Sequence, residues 1–127
     1  MNAQGDEFAA ETPRLSALVA AGVEFTPGSD GEGRFTHLVG VREWPAMGQA
    51  DVVLIFSQTD AVASRGDHDG GVLWECEGTA LDVANALLEL PTPGTALAPR
   101  LARPGPSLVA RRRPVMTSGD IPAPECL

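Results

Sequence analysis

The chain has 127 residues, 43% of them hydrophobic and 20% charged, with 17 acids against nine bases for a net charge of −8. That length supports one small domain, and the acid excess repels phosphate, which argues against nucleic acid or an anionic membrane as the main partner of the folded part. No apolar run approaches the roughly 18 residues of a membrane helix. The opening residues lack the basic and apolar regions of a secretory signal, and the two cysteines, Cys76 and Cys126, fit no disulfide framework or zinc spacing, so a reduced cytoplasmic compartment is expected.

Residues 1–11 read as a flexible N-terminus. Thr12 can cap a helix that begins at Pro13, where the missing N–H of proline costs nothing. Leu15, Leu18 and Val19 then share one helical face, and Gly22 ends the helix. Val23 to Phe25 is a short extended piece. Thr26 to Gly33, with Pro27, Gly28, Ser29, Asp30 and Gly31, reads as a loop.

Arg34 to Trp44 is the first clear strand, with Phe35, His37, Val39 and Val41 on one face, and Pro45 ends it. Val52 to Phe56 is an unbroken apolar run suited to a central strand. Ala61 to Arg65 either continues it past a bulge at Gln58–Asp60 or forms a separate short strand. Gly66-Asp67-His68-Asp69-Gly70 marks a turn. Val72 to Glu77 returns as a strand, with Val72, Trp74 and Cys76 on one face and Leu73, Glu75 and Glu77 on the other. Thr79 with Asp82 opens a second helix as a capping box, Val83, Ala84, Leu87 and Leu88 line its apolar face, and Pro91 and Pro93 stop it.

The composition changes after that helix. Residues 1–90 carry a net −11, residues 91–127 a net +3, and eight of the 11 prolines fall in the second part. All nine bases are arginine, the signature of GC-rich coding bias. The expected organisation is therefore an acidic domain at 12–92 and a Pro/Arg-rich disordered tail at 93–127. The expected fold is α+β: a small two-layer sandwich of order α-β-β-β-α. Its antiparallel sheet has three strands, or four if Ala61–Arg65 stands alone, with both helices on one face.

Chemistry-bearing residues are few. Asp67, His68 and Asp69 are weak candidates for a divalent metal, but three consecutive residues in a glycine-flanked turn send their side chains apart. Cys76 with His37 lacks an orienting third group, and a buried cysteine is more often a small hydrophobe than a nucleophile. Trp44 and Met47, at a Trp-Pro-Ala-Met corner, form either an interaction anchor or a lid on the helix layer, and the small core favours the lid. Asp51, Asp60, Glu75 and Glu77 crowd one stretch of sheet and turns, as a solvated face or a docking surface for a basic partner. Arg111, Arg112 and Arg113, with Arg100 and Arg103, make the tail basic enough to contact a polyanion or the protein's own acids.

The reading that follows is a cytoplasmic protein-interaction or regulatory module without a cofactor. Its partner is another protein with a basic surface, and its binding candidates are Trp44, Met47, Asp60, Glu75 and Glu77. The alternatives are a small-ligand or metal-dependent enzyme using Asp60, Asp67, His68 and Asp69, and nucleic-acid contact through the arginine tail.

Overall fold

The computed structural model describes residues 11–112. In chain order they form α1 (Thr12–Ala20), β1 (Glu24–Ser29), β2 (Phe35–Trp44), a 3-10 turn (Pro45–Met47), β3 (Gln49–Ser57), β4 (Asp60–Asp67), β5 (Val72–Gly78), α2 (Ala80–Glu89) and α3 (Leu108–Arg112). The strands run in the order β1-β2-β3-β4-β5, each antiparallel to its neighbour. The fold is α+β, but its sheet has five strands rather than three or four. A third helix follows the second, so the expected order α-β-β-β-α and its placement of the helices do not hold.

The two strands least plain in the sequence, β1 and β4, are unusual for physical reasons, and Ala61–Arg65 does stand as part of a separate strand. β1 contains Pro27, which an edge strand tolerates because one row of its N–H groups faces away from the ladder. It also contains Gly28, over which the ring of His37 lies so closely that a side chain there would collide with it. β4 reads as weak because its inward residues are small. Ala61 and Ala63 are fully buried beneath Ala80, Val83 and Ala84, and that smallness lets α2 approach the sheet.

α1 ends in a Schellman arrangement. The Val23 N–H donates to the Leu18 carbonyl and the Gly22 N–H to the Val19 carbonyl, both at 3.0 Å, while Gly22 adopts φ +106°. Leu18 and Val23, the two ends of that motif, are both buried in the core. Thr12 lies inside the helix, and Glu11 occupies the capping position without a side-chain bond. At α2 the Thr79 Oγ1 accepts the Asp82 N–H at 3.0 Å, as a capping threonine should.

The sheet has two covered faces. On one, Val53, Ile55, Ala61 and Ala63 pack against Leu18, Val83, Ala84 and Leu87, with Trp74 and Cys76 beside them. Val72 leaves the period of Trp74 and Cys76, because the β4–β5 register shifts between Arg65 and Gly66. On the other face, Leu54 and Val62 pack against Val109, flanked by Val39, Val52, Phe56 and Leu108.

The cover on that second face comes from the segment expected as disordered tail. Residues 93–112 run back over the sheet, burying Ala98 and Val109. Arg103 and Val72 exchange both backbone hydrogen bonds at 2.8 Å. Few apolar residues are needed because ion pairs and this short ladder hold the segment. The expectations for residues 1–10 and for 113–127, including Arg113 and Cys126, lie outside the described residues.

Candidate functional site

Three groups of polar side chains concentrate the chemistry of this domain. The first lies across one end of the helix-covered face. Strand register pairs Arg42 with Asp51 and Asp51 with Arg65, so the three stand in a row on β2, β3 and β4. Two residues beyond Arg42, Trp44 returns to the same face.

Asp51 is the centre of the row. Its Oδ2 accepts Arg42 Nε at 3.0 Å, Arg42 Nη2 at 2.8 Å, Arg65 Nη2 at 3.0 Å and Trp44 Nε1 at 3.0 Å, and its Oδ1 accepts Arg65 Nε at 2.6 Å. The side chains of Asp51 and Arg65 have no exposure at all. Burial alone pushes the Asp51 carboxyl up, but hydrogen bonds from Arg65, Trp44 and Arg42 and the charge of Arg65 outweigh it and hold the group below the ordinary carboxylate range.

Two arginines share one carboxylate, which leaves a buried excess of positive charge. Backbone carbonyls answer it. Arg65 Nη1 donates to the Pro91 carbonyl at 2.6 Å and Arg42 Nη1 reaches the Ala21 carbonyl at 3.5 Å. Both carbonyls lie just past the C-terminal ends of α2 and α1, where helix dipoles are negative. The Trp44 ring stacks against the cluster, 5.0 Å from the Arg42 guanidinium carbon and 5.8 Å from that of Arg65. The cluster thus clamps both helices to the sheet. Asp51, expected among the acids of a solvated or docking face, is instead its buried anchor. Trp44 is half-buried over it, while Met47 is 45% exposed.

The second group is the β4–β5 turn. Asp67 Oδ1 accepts the N–H of Asp69 at 3.0 Å and of Gly71 at 2.7 Å, which fixes the turn. The side chains of His68 and Asp69 are 74% and 80% exposed and stand 3.5 Å apart. A cleft of about 230 Å³ adjoins them, bordered by Glu43, Gln49, Asp67 and His68. Among the described residues no group of three His, Cys, Asp or Glu side chains is arranged to hold a metal ion. Asp60 cannot join Asp67 and His68 in one centre. It begins the strand that Asp67 ends, about 23 Å away at roughly 3.3 Å per residue.

Cys76 and His37 lie on opposite faces of the sheet, the first in the helix-side core and the second against Phe56 at 5.3 Å between ring centroids. Burial, with the charges of Asp82 and Glu77, pushes the Cys76 thiol up. That is the direction of an unreactive cysteine.

The third group is the acidic part of the second sheet face. Alternation along β4 and β5 puts Asp60, Val62, Ser64, Glu75 and Glu77 on this side. Each of two carboxylates here is held by an arginine from the returning segment. Arg112 Nη2 meets the two oxygens of Asp60 at 2.8 and 2.7 Å, and its guanidinium carbon lies 4.7 Å over the Phe56 ring. Arg103 Nη2 donates to Glu75 Oε2 at 2.8 Å, and the Leu108 N–H donates to Glu75 Oε1 at 2.9 Å. Between these contacts Val109 packs against Leu54 and Val62. Glu77 is exposed beside them, and Arg111 points back to the Pro106 carbonyl at 3.1 Å.

The structure therefore brings together Asp60 and Glu75 with Arg103 and Arg112. It sets Trp44 and Met47 at a different end of the fold, where the Asp67–His68–Asp69 turn lies beside their corner, with His68 against Gly48. The buried arginines, Arg42 and Arg65, were the residues that sequence reasoning missed. Their only signal is an arginine at an inward position of an apolar strand, with an aspartate at the matching position of the neighbour. Among the described residues no helix is long and apolar enough to cross a membrane. A scan against protein-family models, a search of curated proteins and a search of solved structures each found no match for this chain.

Proposed function

We propose that this chain is a cytoplasmic, non-enzymatic protein-interaction module whose acidic sheet face takes an arginine-bearing segment of another protein. The observation that carries the reading is the pairing of Asp60 with Arg112 and of Glu75 with Arg103 around the apolar patch of Leu54 and Val62. These acids stand on a sheet, not on loops, so their spacing is set by strand register. Two carboxylates flanking an apolar patch suit a segment with an apolar residue one helical turn before an arginine, as in Val109 and Arg112. Planar guanidinium groups match such carboxylates better than lysine does. The net −11 of residues 1–90 adds long-range attraction for a basic partner and a faster on-rate.

The test is a residue-resolved magnetic resonance titration of the full chain with a peptide spanning residues 101–112, at about 50 mM and about 0.5 M salt. The reading predicts shifts concentrated at Asp60, Val62, Ser64 and Glu75 that weaken at the higher salt, where the Debye length falls below about 5 Å. Shifts confined to the Trp44–Met47 corner or to the Asp67–Asp69 turn would refute it.

A further inference from the structure

We propose that residues 98–112 are a detachable strap, an internal competitor that covers the acidic face until an arginine-bearing segment of a partner displaces it. This rests on the reading of that face as the binding surface.

The strap is attached lightly. It buries only Ala98 at one point and Val109 at another, and leaves Leu101 91% exposed between them. A single residue pair, Val72 with Arg103, joins it to the sheet through backbone bonds. Its two ion pairs are partly open to water, with side-chain exposures of 47% and 24% for Arg103 and Glu75 and of 36% and 46% for Arg112 and Asp60. Pairs of this kind are individually weak. What keeps the strap closed is that it is tethered, which makes its effective concentration high without any strong contact.

It can also leave without dismantling the domain. The core between the sheet and α1 and α2 draws no residue from beyond Leu90. The strap begins after Pro91 and Pro93, and it contains Pro99, Pro104 and Pro106, none of which can donate a ladder bond. Its departure uncovers Leu54, Val62, Asp60 and Glu75 together. A partner must therefore supply what the strap supplies: an apolar side chain for the patch, an arginine three residues later for Asp60, and a second arginine for Glu75.

The strap lowers the apparent affinity of the face by the fraction of time it is closed. Loosening it should raise that affinity. The experiment compares the unmodified full chain with the full chain carrying Arg103→Gln and Arg112→Gln. The probe is a fluorescein-labelled peptide of residues 101–112, and amide exchange at Arg103 and Leu108 is followed in both chains. The expected result is faster exchange at both amides in the substituted chain and peptide binding tighter by roughly 2- to 30-fold, the range for losing two partly exposed ion pairs. Equal peptide affinity in the two chains would overturn the strap and leave the binding face standing. Faster exchange with no peptide binding to either chain would overturn the binding face itself. Unchanged core amide exchange, read at Val53 and Ala63, separates these outcomes from unfolding.

Discussion

Replacing Asp51 with asparagine would remove one charge from a site where two arginines and a tryptophan all donate to it. Asparagine keeps one carbonyl oxygen but turns an NH2 group toward the guanidinium groups. The Oδ2 position alone now receives Arg42 Nε and Nη2, Arg65 Nη2 and Trp44 Nε1. Arg65, with no exposure, would be left with a buried, uncompensated charge. Breaking one partner out of a buried pair costs about 3–5 kcal/mol, a fifth or more of the roughly 5–15 kcal/mol that stabilises a domain of this size. Urea unfolding followed by tryptophan emission measures it, since Trp44 sits on the cluster and Trp74 borders the helix-side core. The sign of the pH dependence is also set. The native carboxyl lies below its unfolded value, so its contribution is complete above about pH 3.9 and is lost as pH falls toward the depressed native value. The asparagine chain should lack that component of acid unfolding. A cost below about 1 kcal/mol, with the acid transition unchanged, would show that the cluster does not clamp the helices to the sheet.

Other outcomes follow from the same structure. Leu87→Ala should cost about 2–5 kcal/mol and shift Trp74 emission, because Leu87 is 1% exposed in the helix-side core that Trp74 borders. Gly40→Ala should destabilise by about 1–3 kcal/mol, since an added Cβ would stand 2.7 Å from side-chain atoms of Phe25 and Val53, and chemical denaturation would reveal the loss. Cys76 should alkylate more slowly near neutral pH than a free cysteine and speed up only in alkali. Site-resolved mass spectrometry checks this, and Glu77→Gln should accelerate it modestly.

The parts of the fold that announce themselves in the sequence are those set by local chemistry. Thr79 caps α2, and Val83, Ala84 and Leu87 turn inward from it because helical spacing leaves them no other face. β2, β3 and β5 show through their β-branched and aromatic residues. β1 is concealed by Pro27 and Gly28, which signal a loop in isolation and become strand residues only because an edge tolerates them beside His37. β4 shows only as one of two alternatives, a short separate strand at Ala61–Arg65, because the smallness of its alanines is explained by the helix above and not by the strand itself. The arginine–aspartate row depends on the register of three strands, a non-local fact. So does the path of residues 93–112. Their composition argues against a core of their own, and they pack by borrowing Leu54 and Val62 from a sheet completed earlier in the chain. Asp60 and Glu75 were recognisable as acids on a sheet, but the arginines that meet them lie 52 and 28 residues further along.

The most direct test of the acidic face as an arginine-binding surface removes its charge while keeping its shape. In the full chain already carrying Arg103→Gln and Arg112→Gln, the further changes Asp60→Asn and Glu75→Gln should abolish the binding of the 101–112 peptide at low salt, with the core spectrum unaltered. Peptide binding that survives these two substitutions undiminished would contradict the account.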